Sequence, residues 1–342
     1  MRAFITGIAG GSLTDPERAF LREAQPWGLI LFSRNVETPD AVRRLVDDMR
    51  TTLGRSAPVL IDQEGGRVQR LGPPHWPAYP PGVAYGLVYE DDRNSGVAAA
   101  WLGARLIAAD LAALGIDVDC LPVADVPVAS ADPVIGDRAY CNDPATVAAI
   151  ASAVAAGLAA GGVLPVLKHI PGHGRAAADS HRLLPVVDAD RASLEAIDFA
   201  AFRPLAGLPM AMTAHVLFRA IDPIAPATVS GIIVRDVIRD SIGFKGLLMT
   251  DDISMGALSG SIGERCRAAI AAGCDVVLHC NGKMAQMEAV AADVPVLAGE
   301  AARRAAAALA AKTPAEPLEV AAARAEFLKL MAGTWQPAQG YA

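Results

Sequence analysis

The chain has 342 residues, of which 53% are hydrophobic, so it can bury a large core. Its 30 basic and 37 acidic residues give a formal net charge of −7, and no cluster of Lys and Arg stands out, which argues against a nucleic-acid ligand. The five cysteines form no CxxC pair, as is typical of reduced thiols in a cytosolic protein. No signal-peptide pattern and no charge-free run of about 18 apolar residues is found. We therefore expect a cytoplasmic protein that neither spans nor binds a membrane.

Short apolar segments alternate with helical patterns along the chain. Eight segments of strand length cover residues 4–8, 28–32, 58–62, 116–123, 163–169, 210–215, 246–251 and 275–279. Such short runs, rich in β-branched residues, are typical of strands that are buried on both faces of a parallel sheet. Helical patterns lie between most of them, at residues 15–24, 39–53, 95–114, 143–160, 191–205, 230–241 and 263–272.

Helix start and stop signals support this order of elements. Thr14, Thr38 and either Asn142 or Asp143 stand where N-caps are expected. Glycines stand where three helices should end, at Gly115, Gly161 and Gly273. Eight βα units in one sheet predict an α/β fold, namely a closed (β/α)8 barrel of the TIM type. An open doubly wound sheet is the alternative, but no GxGxxG turn follows the first strand.

The predicted organisation is a single domain over residues 1–342. The barrel itself covers about residues 1–292, and extra C-terminal helices cover about residues 293–332. Two segments interrupt the alternation of strands and helices. Residues 72–83 are rich in proline and are predicted to wrap the surface, while residues 171–182 are rich in Gly and Ala and are predicted to form a mobile loop. We expect the protein to be a monomer.

Polar residues follow most of the predicted strands. In strand order they are Asp62 and Glu64, Asp125, Lys168 and His169, His215, Asp251 and Asp252, and His279. In barrels of this type the chemistry lies at the carboxyl ends of the strands, and Lys, Asp and Glu are rarely buried without partners. Any one of these residues could simply begin a polar loop, but the whole set predicts a common site.

The segment richest in such residues runs from 168 to 181. It reads Lys-His-Ile-Pro-Gly-His-Gly over residues 168–174 and ends in Asp179, Ser180 and His181. Gly172 and Gly174 give this loop freedom to move. Asp179 and His181 are two residues apart, which allows a hydrogen bond in a turn, and a carboxylate beside an imidazole orients the ring and raises its basicity. The pair therefore suits proton transfer near neutral pH.

A second motif, at residues 249–255, reads Met-Thr-Asp-Asp-Ile-Ser-Met. Asp251 is the first residue beyond the apolar run and is the candidate nucleophile, because a carboxylate at a strand end can attack the anomeric carbon of a sugar. Asp252 is predicted to have a structural role in capping the next turn. Residues 62–70 combine carboxylates and guanidinium groups around two glycines, which suits either the binding of sugar hydroxyls or a salt-bridged loop. Arg138 is a further candidate for the same site at the mouth of the barrel.

Together these motifs resemble glycoside hydrolase family 3, and within it the bacterial cytoplasmic β-N-acetylhexosaminidases of peptidoglycan recycling. The resemblance is carried by residues 168–174 with 179–181, by Ile-Asp-Gln-Glu-Gly-Gly-Arg at 61–67 and by Thr-Asp-Asp-Ile-Ser-Met at 250–255. It extends over most of the chain. Two departures are Ile170, where Phe is common in the family, and Arg-Ala-Ala-Ala at 175–178. Neither departure affects a residue with a predicted catalytic role. Both leave open how the loop closes and which aglycone is preferred.

The resemblance implies a retaining glycosidase that works through a covalent glycosyl-enzyme. Asp251 matches the nucleophile, His181 the acid/base and Asp179 its partner, whereas most retaining glycosidases use a second carboxylic acid. The positions that match the binding of a terminal N-acetylglucosamine are Asp62, Arg70, Arg138, Lys168 and His169. The partner is then a small carbohydrate substrate, either a muropeptide or another N-acetylglucosaminide, and neither a metal nor a cofactor is implied.

Three other functions use similar residue types. A metal-dependent barrel hydrolase would draw on Lys168, Asp251 and the histidines at 169, 173, 181 and 215, but no HxH ends the first strand. A lyase would form a Schiff base on Lys168. A non-catalytic sugar-binding barrel would need neither Asp251 nor His181.

Overall fold

A computed structural model gives the fold and describes residues 1–337, so residues 338–342 of the predicted domain lie outside the described residues. Within the described part, eight strands close into a parallel barrel in chain order. We number them β1 (Arg2–Thr6), β2 (Pro26–Leu31), β3 (Val59–Ile61), β4 (Val118–Asp119), β5 (Leu164–Ile170), β6 (Met210–Thr213), β7 (Leu247–Asp252) and β8 (Val276–His279). Nearly all of their side chains are buried, since one face of each strand meets the barrel axis and the other meets the helices. The predicted (β/α)8 barrel is thus confirmed, and the open sheet is wrong.

The fourth strand is much shorter than the predicted segment at 116–123. Only Val118–Asp119 joins the ladders to its neighbours, and beyond it a single bridge connects Val123 to Lys168. Pro122, which lies between these two contacts, has no backbone N–H to donate to a ladder. Beyond Asp119 the chain stays at the barrel wall without a regular ladder, because the backbone N–H groups of Val166 and Lys168 still donate to the carbonyls of Leu121 and Pro122.

Helices cover the outside of the barrel. In chain order they are Asp15–Ala24, Pro39–Leu53, Gly82–Asp91, Arg93–Ala112, Pro144–Ala160, an irregular helical segment at 191–205, Ile233–Ser241, Ile262–Ala272, Met284–Asp293, Gly299–Ala310 and Val320–Leu330. The side chains of Thr14 and Thr38 cap the first two helices as predicted, and Asp143, not Asn142, caps the helix that begins at Pro144. Gly273 ends its helix in the left-handed conformation, also as predicted.

Two helices have no counterpart in the sequence patterns. Gly82–Asp91 begins inside the segment that was expected only to wrap the surface, and it precedes Arg93–Ala112 directly. Met284–Asp293 follows β8 and supplies the eighth outer helix, whereas the sequence placed helical structure only after about residue 293. Gly299–Ala310 and Val320–Leu330 do lie in the region predicted to be helical.

The barrel interior is solid. Side chains of alternate strand residues, among them Ile5, Val166 and Met249, form one buried apolar cluster. Ala305 and Ala308 of the helix Gly299–Ala310 belong to the same cluster and close the amino-terminal end of the barrel. The interior is therefore a packed core below the site at the carboxyl end, as is typical of this fold.

One helix, Arg93–Ala112, is long and apolar enough to cross a membrane by length and composition alone. Most of it is buried, and it packs against Pro144–Ala160 and Val320–Leu330. Arg105 within it is buried and donates a hydrogen bond to the carbonyl of Glu316. Packing in the outer layer of the barrel thus explains its apolar composition.

A small hairpin follows β3 and shapes the site. Gln63–Gly65 pairs antiparallel with Val68–Gln69. Gly65 and Gly66 form the turn with φ values of +93° and +56°, a conformation that favours glycine. The backbone N–H of Arg70 donates to the Gln63 side chain at 2.9 Å. The hairpin therefore returns Arg70 to the carboxyl end of β3, beside Asp62.

Candidate active site

A cavity of about 320 Å³ opens at the carboxyl end of the barrel, where β3, β5 and β7 end. Seven of the eight predicted site residues line it, namely Asp62, Arg70, Arg138, Lys168, His169, His181 and Asp251. The eighth, Asp179, is hydrogen-bonded to His181. The structure therefore brings the polar strand-end residues together as expected, while their individual roles stay predictions.

Five charged side chains form a network on one side of the cavity. The Lys168 ammonium donates to Asp62 Oδ1 at 2.9 Å and lies 2.5 Å from Glu64 Oε1. Arg70 donates to the other oxygen of Asp62 at 3.1 Å. Arg138 donates from Nε and Nη2 to the two oxygens of Glu64, both at 2.8 Å, in a bidentate geometry. Lys168 is only 1% exposed, so its charge depends on these partners.

The network fixes the protonation states of its members. Burial alone would raise the pKa of the Asp62 and Glu64 carboxyl groups, but the neighbouring cations outweigh it, keeping the pKa of Asp62 well below its usual range and lowering that of Glu64 to about 2. Burial would lower the pKa of Lys168, yet the two carboxylates hold it above its ordinary value. A Schiff-base lysine must lose its proton, so the charged ammonium of Lys168 argues against the lyase alternative.

Glu64 is a site residue that the predicted set omits. It belongs to the polar set that follows the predicted strands, but it is not among the residues for which the sequence predicts a catalytic or binding role. The structure shows it as the shared counter-ion of Arg138 and Lys168. A count of charges could have found it, because three cations were placed at the mouth with Asp62 as the only acid beside them. Buried cations in such numbers require a second carboxylate.

Asp125 orients His169 and was likewise omitted from the predicted set. The buried carboxylate accepts the Nδ1–H of His169 at 2.6 Å and the backbone N–H of His173 at 2.6 Å. Since a carboxylate only accepts, Nδ1 of His169 carries the hydrogen of this bond, and Nε2 lies 3.5 Å from Arg138 Nη2. Burial would raise the pKa of Asp125, but His169 lowers it below its ordinary value.

Apolar side chains complete the cavity lining. They are Phe32, Val68, Val134, Met212, Met255, Leu278 and the thiol-bearing Cys280. The guanidinium carbon of Arg70 lies 5.2 Å from the centroid of the Phe32 ring, within the range of a cation–π contact. No sequence signal separates Phe32, Met212 and Leu278 from the core, because they belong to the apolar runs that predict the strands.

Asp251 and Asp252 both end β7 but make different contacts. Asp251 is half-buried on the cavity wall, and its Oδ1 accepts the backbone N–H of Asp252 at 2.7 Å. Burial would raise its pKa, but His169, His215 and this backbone hydrogen bond lower it, so the carboxylate is ionised. Asp252 instead accepts the backbone N–H and the hydroxyl of Ser254, at 3.0 and 2.7 Å. The predicted turn-capping role of Asp252 is confirmed.

Asp179 and His181 form the hydrogen bond predicted from their spacing. The ring Nδ1–H of His181 and its backbone N–H both donate to Asp179 Oδ1, at 2.7 and 2.9 Å. Because the carboxylate accepts at Nδ1, Nε2 is the nitrogen available for proton exchange. Burial would raise the pKa of Asp179, but these hydrogen bonds lower it, so Asp179 stays ionised. The His181 side chain is 64% exposed at the rim of the cavity.

The remaining histidines near the site are committed to hydrogen bonds with the protein. His215 donates from Nε2 to the Asp252 carbonyl at 3.0 Å and accepts the Thr228 hydroxyl at Nδ1 at 2.7 Å. Nε2 of His173 lies 2.9 Å from the hydroxyl of Ser180. Across residues 1–337, no three His, Cys, Asp or Glu side chains are grouped as a metal site. The described side chains thus give the metal-dependent alternative no ligand set.

Comparison with known proteins decides the family. Residues 8–308 match the glycosyl hydrolase family 3 N terminal domain. The chain is 41% identical over 281 residues to a beta-hexosaminidase from Alkalilimnicola ehrlichii, covering 80% of this chain and 79% of that protein. A beta-hexosaminidase from Chromobacterium violaceum is 39% identical over 278 residues, with 80% and 77% covered. NagZ from Neisseria gonorrhoeae, solved in complex with N-trifluoroacetyl-D-glucosamine, matches with a TM-score of 0.86 and 32% identity over 97% of this chain and 98% of its own.

The chain belongs to glycosyl hydrolase family 3. Within the family it is a β-N-acetylhexosaminidase of the NagZ type, and so a glycoside hydrolase that acts on N-acetylhexosaminides. The resemblance inferred from the three motifs is therefore confirmed. The substrate of this family 3 enzyme is therefore a small carbohydrate.

Replacing Glu64 by Gln in this family 3 enzyme tests the charge network. Folding lowers the pKa of Glu64 from an ordinary 4.5 to about 2. Its ionised form therefore stabilises the fold fully above about pH 4.5, and this contribution is lost as the pH falls toward 2. We expect Glu64→Gln to lower the free energy of unfolding by about 3 kcal/mol at neutral pH, with the difference shrinking toward zero in strong acid. Urea unfolding at a series of pH values measures it.

The matched control is Glu288→Gln, at an exposed glutamate on the helix Met284–Asp293. It should change the free energy of unfolding by less than about 0.5 kcal/mol at every pH. A deficit in Glu64→Gln that is the same at all pH values would contradict the assignment of Glu64 as an ionised counter-ion.

Proposed function

We propose that this enzyme is a retaining exo-β-N-acetylglucosaminidase that removes terminal N-acetylglucosamine from peptidoglycan fragments, the anhydro-muropeptides. The observation that carries the proposal is that Asp251 and His181 line one cavity, with Asp179 bonded to the imidazole. A retaining glycosidase needs a carboxylate that attacks the sugar and a group that gives and then takes a proton. Here the ionised Asp251 fits the first role and Nε2 of His181 fits the second.

In the first step, the Asp251 carboxylate attacks the anomeric carbon and forms a glycosyl ester. At the same time the glycosidic bond breaks, and Nε2–H of His181 protonates the leaving oxygen. In the second step, neutral His181 takes a proton from water, the water oxygen attacks the anomeric carbon, and the ester bond to Asp251 breaks. Asp179 holds the ring and stabilises the imidazolium in both steps, because its carboxylate accepts the Nδ1–H throughout.

The charged network is proposed to hold the non-reducing sugar. Asp62 accepts hydrogen bonds from sugar hydroxyls, while Lys168, Arg70 and Arg138 donate to them, and His169 adds a further polar contact. A cavity of about 320 Å³ is near the lower limit for small-molecule pockets. We infer that it holds one sugar residue and leaves the aglycone at the rim, which is the geometry of an exo-acting enzyme.

The similarity to these relatives also supports proposals about the domain organisation, the oligomeric state and the location of the enzyme. We propose that residues 1–342 form a single catalytic domain, with the barrel over about 1–292 and the helical addition over about 293–332. The support is that NagZ from Neisseria gonorrhoeae is matched over 98% of its own chain. We also propose a monomeric, cytoplasmic enzyme with no cofactor and no metal.

Replacing Asp251 by Ala should abolish turnover of an aryl β-N-acetylglucosaminide, with a loss in kcat of at least about 10³-fold, because no carboxylate remains to form the ester. The melting temperature should change little. With the wild-type enzyme, a slow fluorinated substrate should leave one sugar on the peptide that contains Asp251, as seen by mass spectrometry. Asp252→Asn is the neighbouring control and should lose far less activity. Full activity in Asp251→Ala would refute the assignment.

Replacing His181 by Ala should make the rate depend on the leaving group. A 2,4-dinitrophenyl glycoside needs no proton to depart, so its kcat/KM should fall little, whereas that of a disaccharide should fall by about 10²- to 10⁴-fold. Azide should restore turnover by attacking the glycosyl-enzyme in place of activated water. His75→Ala removes an exposed histidine and should behave like the wild type. Equal losses on both substrates would show that His181 is not the acid/base.

The aglycone preference can be measured as the ratio of kcat/KM for an anhydro-muropeptide to that for chitobiose. Arg67 lines the cavity and Arg182 is exposed beside His181, so the rim presents cations that suit the carboxylates of a peptide. We expect the muropeptide to be preferred and Arg182→Ala to reduce the ratio about fivefold, as for the loss of one exposed ion pair. Preference for chitobiose would point to chitin fragments instead.

A further inference from the structure

The segment that contains His181 is hydrogen-bonded to the segment that follows Asp251, the proposed nucleophile. The backbone N–H of Ala257 donates to the carbonyl of Ser180, and that of Gly256 donates to the carbonyl of His181, both at 3.1 Å. Gly256 and Ala257 lie only a few residues beyond Asp251, after the turn that Asp252 caps. These hydrogen bonds therefore join the backbones of the two segments that hold the proposed catalytic groups.

The buried side chain of Ser180 holds the same segment from the interior of the protein. It is only 2% exposed, although the neighbouring His181 is largely exposed. Its hydroxyl lies 2.9 Å from Nε2 of His173, which is itself buried. The backbone of His173 is fixed in turn by Asp125, the carboxylate that also orients His169. The Ser180 hydroxyl thus connects the exposed loop to the polar floor of the site.

Gly256 is required by the closeness of this approach. A Cβ at this position would lie 2.6 Å from the carbonyl oxygen of Arg182 and 2.9 Å from that of His181. Real Cβ contacts almost never fall below 3.0 Å, and the obstacles are backbone atoms that cannot rotate away. The backbone of Gly256 is not in the left-handed region, so space, not φ, is what demands glycine here.

We propose that Ser180 and Gly256 are positioning residues that set where the acid/base histidine stands relative to Asp251. We call their three hydrogen bonds, Ser180 to His173, Ala257 to Ser180 and Gly256 to His181, the docking contact. This inference rests on the proposed role of His181. The hydrogen bond that His181 donates to Asp179 orients the imidazole within its own segment, but it cannot set the distance of that segment from the nucleophile. The docking contact does so.

The consequence is selective for proton transfer. The residues proposed to bind the sugar lie at the ends of β3 and β5 and in the loop at Arg138, and they have hydrogen bonds of their own, so we expect them to stay in place when the docking contact is lost. A displacement of about 1 Å at a reacting group costs about 10²-fold in rate. Loss of the docking contact should therefore slow only those reactions in which the leaving group or the attacking water needs His181.

The experiment compares Gly256→Ala and Ser180→Ala on two substrates, a disaccharide and a 2,4-dinitrophenyl glycoside. We expect Gly256→Ala to lower kcat/KM about 10²-fold for the disaccharide and less than about threefold for the dinitrophenyl substrate. Ser180→Ala should act in the same direction, by about tenfold for the disaccharide. Inhibition by free N-acetylglucosamine should be unchanged, and azide should raise the turnover of both variants. A purely structural role would not separate the two substrates.

The matched control is Gly207→Ala, where an added Cβ meets no atom within 4 Å, and it should keep wild-type kinetics. Equal losses on both substrates, or no loss, in the two docking variants would overturn the inference. If melting curves show that Gly256→Ala is unfolded, Ser180→Ala decides alone. If His181→Ala itself shows no dependence on the leaving group, the proposed function fails and the docking role fails with it. If His181→Ala shows that dependence and the docking variants do not, only the docking role is wrong.

Discussion

The ammonium group of Lys168 is the interaction on which the rest of the site depends. It is charged at a place with almost no access to water, which would cost several kcal/mol without partners. Asp62 and Glu64 supply those partners, and they in turn are held by Arg70 and Arg138. This arrangement requires the hairpin after β3 and the loop at Arg138 to meet the end of β5 at the barrel mouth. The donors and acceptors proposed to bind the sugar are therefore fixed by one another, so binding on this proposal does not have to reorganise them.

The sequence predicts most of the barrel because its signals are local. Alternating apolar runs mark the eight strands, and the caps at Thr14, Thr38 and Asp143 mark helix starts through contacts within four residues. What it misses depends on distant contacts. The helix Gly82–Asp91 carries the apolar side chains Val83 and Leu87 at exposed positions, so it lacks the one-sided apolar pattern that identifies a surface helix. The short β4 follows from Pro122, whose effect on the ladder is visible only once the neighbours are known.

The same distinction separates the predicted from the missed site residues. Strand-end positions identify Asp62, Lys168 and Asp251 because a parallel barrel brings those ends together. Glu64 and Asp125 act through pairs that are 74 and 44 residues apart in sequence, with Arg138 and His169, and no local pattern reports such a pairing. The apolar part of the cavity wall is harder still to predict. Met212 and Leu278 line the cavity, but the strands that carry them also contribute apolar residues to the core.

The exposure of His181 gives a physical reason for the proposed use of a histidine in proton transfer. A carboxylic acid that is to be protonated at neutral pH needs a raised pKa, and burial is the usual means of raising it. The side chain at position 181 is 64% exposed, so burial is not available there. Free imidazole already titrates near neutral pH without burial, and a carboxylate such as Asp179 can orient it locally. On the proposed mechanism, an imidazole suits an exposed loop as the acid/base, and docking of that loop through its backbone leaves the ring free to reach the leaving oxygen.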